Sequence, residues 1–152
     1  MTTTSTDRIE REIILRAPRR RVWQALTDAR QFGEWFGVVP SGPFEPGTTI
    51  TAKVTTAGYE HVTFAMTIVS MEAETRFAWR WHPNAIDMNH DYSGEPTTLV
   101  EFDLADTDGG TRLRVVESGF DQIPAARRLT AYRGNSGGWT AQMENIVRYV
   151  DR

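Results

Sequence analysis

The sequence predicts an α+β fold in which a curved antiparallel sheet of about six to seven strands wraps around a long C-terminal helix, with two short helices after the first strand. Three observations carry this expectation. Period-two alternation fills the middle of the chain, two short pieces of helical spacing precede it, and helical spacing returns at the C-terminal end. A sheet with one apolar face and a single amphipathic helix bury each other, so this order of elements has an economical solution. At 152 residues the chain is expected to form one domain over residues 8–150, with residues 1–7 as a disordered N-terminal tail.

The elements follow in order. Arg8 to Leu15 reads as a strand that ends at Ala17-Pro18, because proline cannot donate to a ladder and disfavours helix in the residue before it. Pro18 fits a first helical position, and Val22, Trp23 and Leu26 share one face up to Asp28. A second piece, Ala29 to Phe36, carries Phe32, Trp35 and Phe36 and stops at Gly37, which suits a left-handed C-terminal residue. Val38 to Pro46 reads as a loop rich in proline and glycine. Strands then present Ile50, Ala52 and Val54; Val62, Phe64, Met66 and Ile68; Phe77, Trp79 and Trp81, the clearest one-sided strand; and Val100, Phe102 and Leu104. A polar loop from His82 to Pro96 interrupts them, and Thr107-Asp108-Gly109-Gly110 forms a hairpin turn.

The last strand, Thr111 to Ser118, places Leu113, Val115 and Glu117 in one inward row. Pro124 then opens the final helix, whose apolar positions are Leu129, Tyr132, Trp139, Met143, Ile146 and Val150. Gly134-Asn135-Ser136-Gly137-Gly138 interrupts this stripe, and each glycine costs about 1 kcal/mol relative to alanine. A continuous but weakened helix is expected.

Composition excludes several classes. Apolar residues make up 39% and charged residues 24%, which suits a globular chain rather than a disordered one. A net charge of −3 argues against a general nucleic-acid binder, and Arg19-Arg20-Arg21 reads as a solvated helix face. There is no cysteine, so disulfides, thiolate nucleophiles and cysteine-based zinc sites are excluded. No apolar run is long enough for membrane insertion, and Met1 to Asp7 lacks the hydrophobic core of a secretion signal, so a cytoplasmic location is expected. His82 and His90 flank Asp87, Asn89 and Asp91 in the polar loop, but the spacing matches no ligand motif; neither a metal nor another cofactor is expected, and His61 is placed on the solvent face. Ser118 and Ser136 lie in no nucleophile elbow.

Two stretches carry a resemblance. Ala-Pro-Arg-Arg-Arg-Val-Trp-Gln-Ala-Leu-Thr-Asp at Ala17 to Asp28, followed by Phe32, Trp35 and Phe36-Gly37, resembles the opening of the START-like (SRPBCC) superfamily. Val116-Glu117-Ser118-Gly119-Phe120, then Pro124, then Gly138-Trp139, resembles the branch named after the activator of the heat-shock-protein-90 ATPase. The resemblance implies a helix-grip fold with a cavity between sheet and helix. Members of the superfamily bind lipids, hormones, polyketides and other apolar ligands, and some catalyse cyclisation or ring cleavage. In the eukaryotic co-chaperone the module is joined to a separate N-terminal domain that makes much of the chaperone contact; 152 residues are expected to leave no room for it, so a chaperone partner is not favoured.

A cavity of that kind would be lined by Phe64, Met66, Trp79, Trp81, Phe102, Val115, Trp139 and Met143, with Trp35 and Phe36 near one mouth. Such walls suit a small apolar or aromatic partner, and the same residues can instead fill a core. Glu117 is the one inward carboxylate. It can orient a ligand, serve as a general acid or base, accept hydrogen bonds from the start of the last helix, or pair with an arginine, and a β-bulge at Val116 would turn it outward. Three functions therefore stand: a binding module for a small apolar molecule, a cyclase- or hydrolase-like enzyme using Glu117, and a co-chaperone-like or regulatory interaction module. The chain is expected to be a monomer or homodimer.

Overall fold

The structure is a computed structural model that describes residues 7–151; the expected tail falls on residues outside this range, save Asp7. Seven strands form one antiparallel sheet: β1 (Arg8–Leu15), β2 (Val38–Pro40), β3 (Thr49–Val54), β4 (Thr63–Glu72), β5 (Arg76–Trp81), β6 (Thr98–Thr107) and β7 (Gly110–Ser118). Their spatial order is β1-β7-β6-β5-β4-β3-β2. Helices α1 (Arg19–Thr27) and α2 (Ala29–Phe36) connect the first two strands, and α3 (Ala125–Val150) crosses the sheet. The core lies between the sheet and the three helices and holds Phe32, Phe77, Trp79, Phe102 and Ile146 fully buried.

Local chemistry sets the boundaries. Asp28 separates the two short helices and accepts a hydrogen bond from the Gln31 amide, which satisfies one of the free N–H groups of α2. Gly37 ends α2 at φ 85°, the left-handed conformation that lacks a steric cost only in glycine. Pro18 and Pro124 each stand one residue before the helix rather than in its first position, because their backbone is still extended in ψ. Asp7, placed by the sequence in the tail, accepts the Gly119 and Phe120 amides at its carbonyl.

Three further expectations are corrected. Val38–Pro40 is an edge strand paired with β3, not a loop; the edge tolerates Pro40 because an outer strand needs no donor there. Ala78 alternates with Phe77 and Trp79 on β5, which the one-sided pattern puts on the solvent face, yet it is buried between Ser70 and Glu101 of the flanking strands. Within β4, Val69 is an extra residue at a β-bulge beyond the expected row, and it shifts the alternation so that Met71 packs inward. Leu129 is exposed. The inward stripe of α3 runs through Ala131, Trp139, Met143, Ile146 and Val150, and Leu129 lies about 200° around the helix from Ala131.

Helix α3 is continuous through its glycines, as expected. Gly134 faces the Asn84 side chain, whereas a Cβ on Gly137 or Gly138 would meet no atom within 4 Å. Gly137→Ala is therefore expected to stabilise the fold by about 1 kcal/mol through helix propensity and reduced freedom of the unfolded chain. Urea denaturation should show a higher midpoint at unchanged m-value.

Candidate functional site: a ring-walled pocket backed by a buried carboxylate

Glu117 has no exposed surface, and no register shift occurs along β7 against either neighbour, so the carboxylate points inward. Its partners are neither arginine nor the start of α3. Oε2 accepts from the Trp81 indole at 2.7 Å and from the Thr98 hydroxyl at 2.5 Å. Oε1 accepts from the Trp139 indole at 2.8 Å and from the Asn135 side-chain amide at 2.9 Å. Strands β5, β6 and β7 and helix α3 thus meet at one carboxylate. Four neutral donors converge on it, which suits an acceptor-only group and rewards burial that would otherwise be costly. Parity could have found Thr98, two residues before Val100 on the same face, and the four-residue spacing from Ala131 places Asn135 inward.

In front of this cluster lies a pocket of about 200 Å³. Phe36, Val54, Val62, Phe64, Trp81 and Trp139 supply apolar walls; Ala85 and Ile86 close it from the β5–β6 loop, and Gly138 leaves room on the helix side. The polar lining groups are His82, Asn84, Asn135 and Gln142. Among the described residues no Asp, Glu, Lys or Arg lines it.

The expected cavity residues separate into two groups. Phe36, Phe64, Trp81 and Trp139 line the pocket. Met66, Trp79, Phe102 and Val115 are buried in the filled core and do not reach it, and Glu117 stands behind the Trp81, Asn135 and Trp139 wall. Trp35 is buried against Phe32 and donates its indole N–H to the Ala25 carbonyl at 2.7 Å. Met143 faces a separate shallow groove between β1 and α3. Val54, Val62, Asn84, Ala85, Ile86 and Gln142 were not foreseen as lining residues; the loop residues among them carry no periodic signal.

The loop over the pocket is tied to α3. Glu95 accepts from Arg127 Nε at 2.7 Å and from His90 Nε2 at 2.6 Å, and Arg127 lies over the Tyr92 ring at 4.8 Å. The hydrogen bond from His90, followed by that from Arg127, holds the Glu95 carboxyl below the usual carboxylate range. A carboxyl lowered in the folded state adds stability above its unfolded value of about 4.3, and that stability is lost as pH falls through the folded value. Wild type should exceed Glu95→Gln by about 1–2 kcal/mol at neutral pH. In urea titrations the gap should narrow as pH falls below about 4.3 and close once pH has passed the lowered folded value. Among the described residues no group of three or more His, Cys, Asp or Glu could hold a metal ion, and no helix is long and apolar enough to cross a membrane. His61 is exposed.

A seven-stranded antiparallel sheet gripping a long C-terminal helix, with two short helices after the first strand, is the helix-grip architecture of START-like (SRPBCC) proteins. Residues 16–151 match the family described as Activator of Hsp90 ATPase homolog 1-like protein, and the chain belongs to that family. No curated protein matches it. Among solved structures, protein MLL2253 from Mesorhizobium loti is similar at 23% identity, with 95% of this chain and 97% of that one covered and a TM-score of 0.74. The Aha1 dimer from Colwellia psychrerythraea is similar at 17% identity, with 95% and 96% covered and a TM-score of 0.71. DynU16, from the dynemicin biosynthetic locus, is similar at 24% identity and a TM-score of 0.71 over 94% of this chain, which spans about half (46%) of DynU16's length. At these identities the likeness establishes the fold.

Proposed function

We propose that the protein binds a small apolar or aromatic molecule in the pocket between β4, β5, the β5–β6 loop and α3. The observation that carries this reading is the pocket's construction. Its rings are fixed from behind, since the Trp81 and Trp139 indoles are both bonded to Glu117, and Gly138 keeps the helix side open. Preformed, ring-walled concavities with few polar groups are what small-molecule sites require. Glu117 serves as a support of the wall rather than as acid or base, because both its oxygens are taken by protein donors and it does not line the pocket. The cysteine-free composition suits a reducing compartment, and we place the protein in the cytoplasm.

The test is a thermal-shift and native mass spectrometry screen of apolar and aromatic compounds on wild type and Gly138→Leu. A leucine at 138 enters the pocket without meeting existing atoms within 4 Å of its Cβ. It is expected to raise stability by about 1 kcal/mol through helix propensity while removing the ligand-induced shift. A ligand that stabilises both proteins equally binds elsewhere. A screen without any binder, with an effect on a chaperone ATPase, would favour the surface-interaction function instead.

A further inference from the structure

We infer that the β5–β6 loop is the pocket's moving wall and that Arg127 is the clasp that seats it, so that ligand enters and leaves when Arg127 lets go. The inference rests on the binding function proposed above and adds how access to that site is controlled.

The geometry makes access a problem. Val62 and Trp139 line the pocket, yet each keeps only 2% of its surface exposed. Solvent scarcely reaches them, so a ligand-sized molecule packs against them only after a wall has moved.

The walls differ in how they are held. Strands β4 and β5 are each paired on both sides. Helix α3 is bonded to Glu117 through Asn135 and Trp139, and Gln142 donates to the Phe36 carbonyl at 2.8 Å. The β3–β4 turn has a backbone bond to the end of α2, from the Thr55 amide to the Gly37 carbonyl at 2.9 Å. Residues 83–96 have nothing comparable. Their backbone–backbone bonds stay inside the loop, from Ile86 to Asn84, from His90 to Asp87 and from Glu95 to Tyr92. Among the described residues three hydrogen bonds leave the segment. Arg127 donates Nη1 to the Pro83 carbonyl at 2.8 Å and Nε to the Glu95 carboxylate at 2.7 Å, and His82 Nε2 lies 3.0 Å from the Glu95 carbonyl. Segments so sparsely bonded to the body are the ones that open locally.

Arg127 therefore grips the loop at both ends, next to Ala85 and Ile86 at the pocket. The grip is incomplete. Nη2 is buried without a hydrogen-bond partner among the described residues, and the Tyr92 ring under the guanidinium offsets part of that cost. A cationic group desolvated without an acceptor raises the free energy of the closed state, and opening returns it to water. The clasp holds the wall and is poised to release it.

A reversible staple tests this. Asn84 rests on Gly134, where a Cβ would lie 3.3 Å from Asn84 Oδ1, and the chain has no cysteine of its own. Asn84→Cys combined with Gly134→Cys thus brings two thiols within disulfide reach and pins the loop to α3 until reductant is added. Stopped-flow tryptophan fluorescence follows 2-naphthol binding, since Trp81 and Trp139 line the pocket. Oxidation is expected to slow association and dissociation each at least about tenfold relative to the same protein reduced, with Kd within about threefold. Arg127→Met, which keeps the apolar stem, should raise both rates about fivefold at a Kd within about threefold. A contact to the ligand, or a merely structural role, would instead move Kd through one rate.

Rates indifferent to oxidation overturn the moving wall and leave the binding site standing. A change in Kd carried by one rate overturns the clasp. Absence of 2-naphthol binding counts against the binding function, and acrylamide quenching of tryptophan then decides on the wall: oxidation should lower the quenching slope about twofold and Arg127→Met should raise it about as much. Slopes unchanged in both overturn the inference. Should one variant fail to fold or to oxidise, the other decides.

Discussion

Glu117→Ala is expected to cost on the order of 4 kcal/mol or more, and Glu117→Gln about 2–3 kcal/mol, in urea denaturation followed by tryptophan fluorescence. The alanine variant removes the one acceptor on which the Trp81, Trp139, Thr98 and Asn135 donors converge. Each buried donor left without a partner costs about 1–3 kcal/mol, and water reaching the enlarged cavity offsets only part of it. The glutamine variant is more informative because it preserves shape. Its amide nitrogen must replace either Oε1 or Oε2. On the Oε2 side the Thr98 hydroxyl can reverse and accept, but the Trp81 indole cannot; on the Oε1 side Asn135 can flip, but the Trp139 indole cannot. Either choice orphans one indole N–H. A small domain holds about 5–15 kcal/mol in total, so the alanine variant should already be partly unfolded at 37 °C. A loss below about 1 kcal/mol in both variants would mean that the carboxylate does not join sheet to helix as described.

The same cluster shows what could be read from the sequence and what could not. Strand β1 and helix α2 fall on the residues that period and punctuation indicated, because Pro18, Asp28 and Gly37 act locally on the backbone next to them. Parity placed Glu117 inward because β7 runs without a bulge. Parity and helical spacing turn Thr98 and Asn135 inward, but not toward Glu117: its partners come from three other elements, and their meeting depends on the register of β5 and β6 against β7 and on how far α3 is shifted along the sheet. The division of inward residues into core and pocket wall was hidden for the same reason. Trp79 and Trp81 alternate identically on β5, yet one is in the filled core and the other faces open space. The difference comes from the β5–β6 loop and Gly138, whose placement no periodicity encodes. Edge strand β2 escaped detection because three residues next to proline and glycine give too short a pattern.

Trp79→Ala is expected to cost about 4 kcal/mol, while Trp79→Phe should cost under about 2 kcal/mol. The Trp79 ring has no exposed surface and packs among Phe32, Phe36, Phe77, Trp81, Phe102 and Trp139, with ring centroids 5.5–6.3 Å away. Removing it leaves a cavity at the centre of this cluster and takes away several edge-on ring contacts worth about 0.5–1.5 kcal/mol each. Phenylalanine loses less for two reasons. It keeps most of the ring area, and it eliminates the indole Nε1, a buried donor with no hydrogen-bond partner among the described residues, whose burial works against folding. The contrast bears directly on function. Loss of ligand in Trp79→Ala would report a collapsed core rather than a missing contact, so the pocket must be probed at Gly138 and Asn135, which line it without belonging to that cluster. Trp79→Phe, by contrast, should retain ligand affinity within about threefold, because Trp79 forms no part of the pocket wall. A tenfold loss there, at nearly unchanged stability, would show that the binding space extends through the core to Trp79.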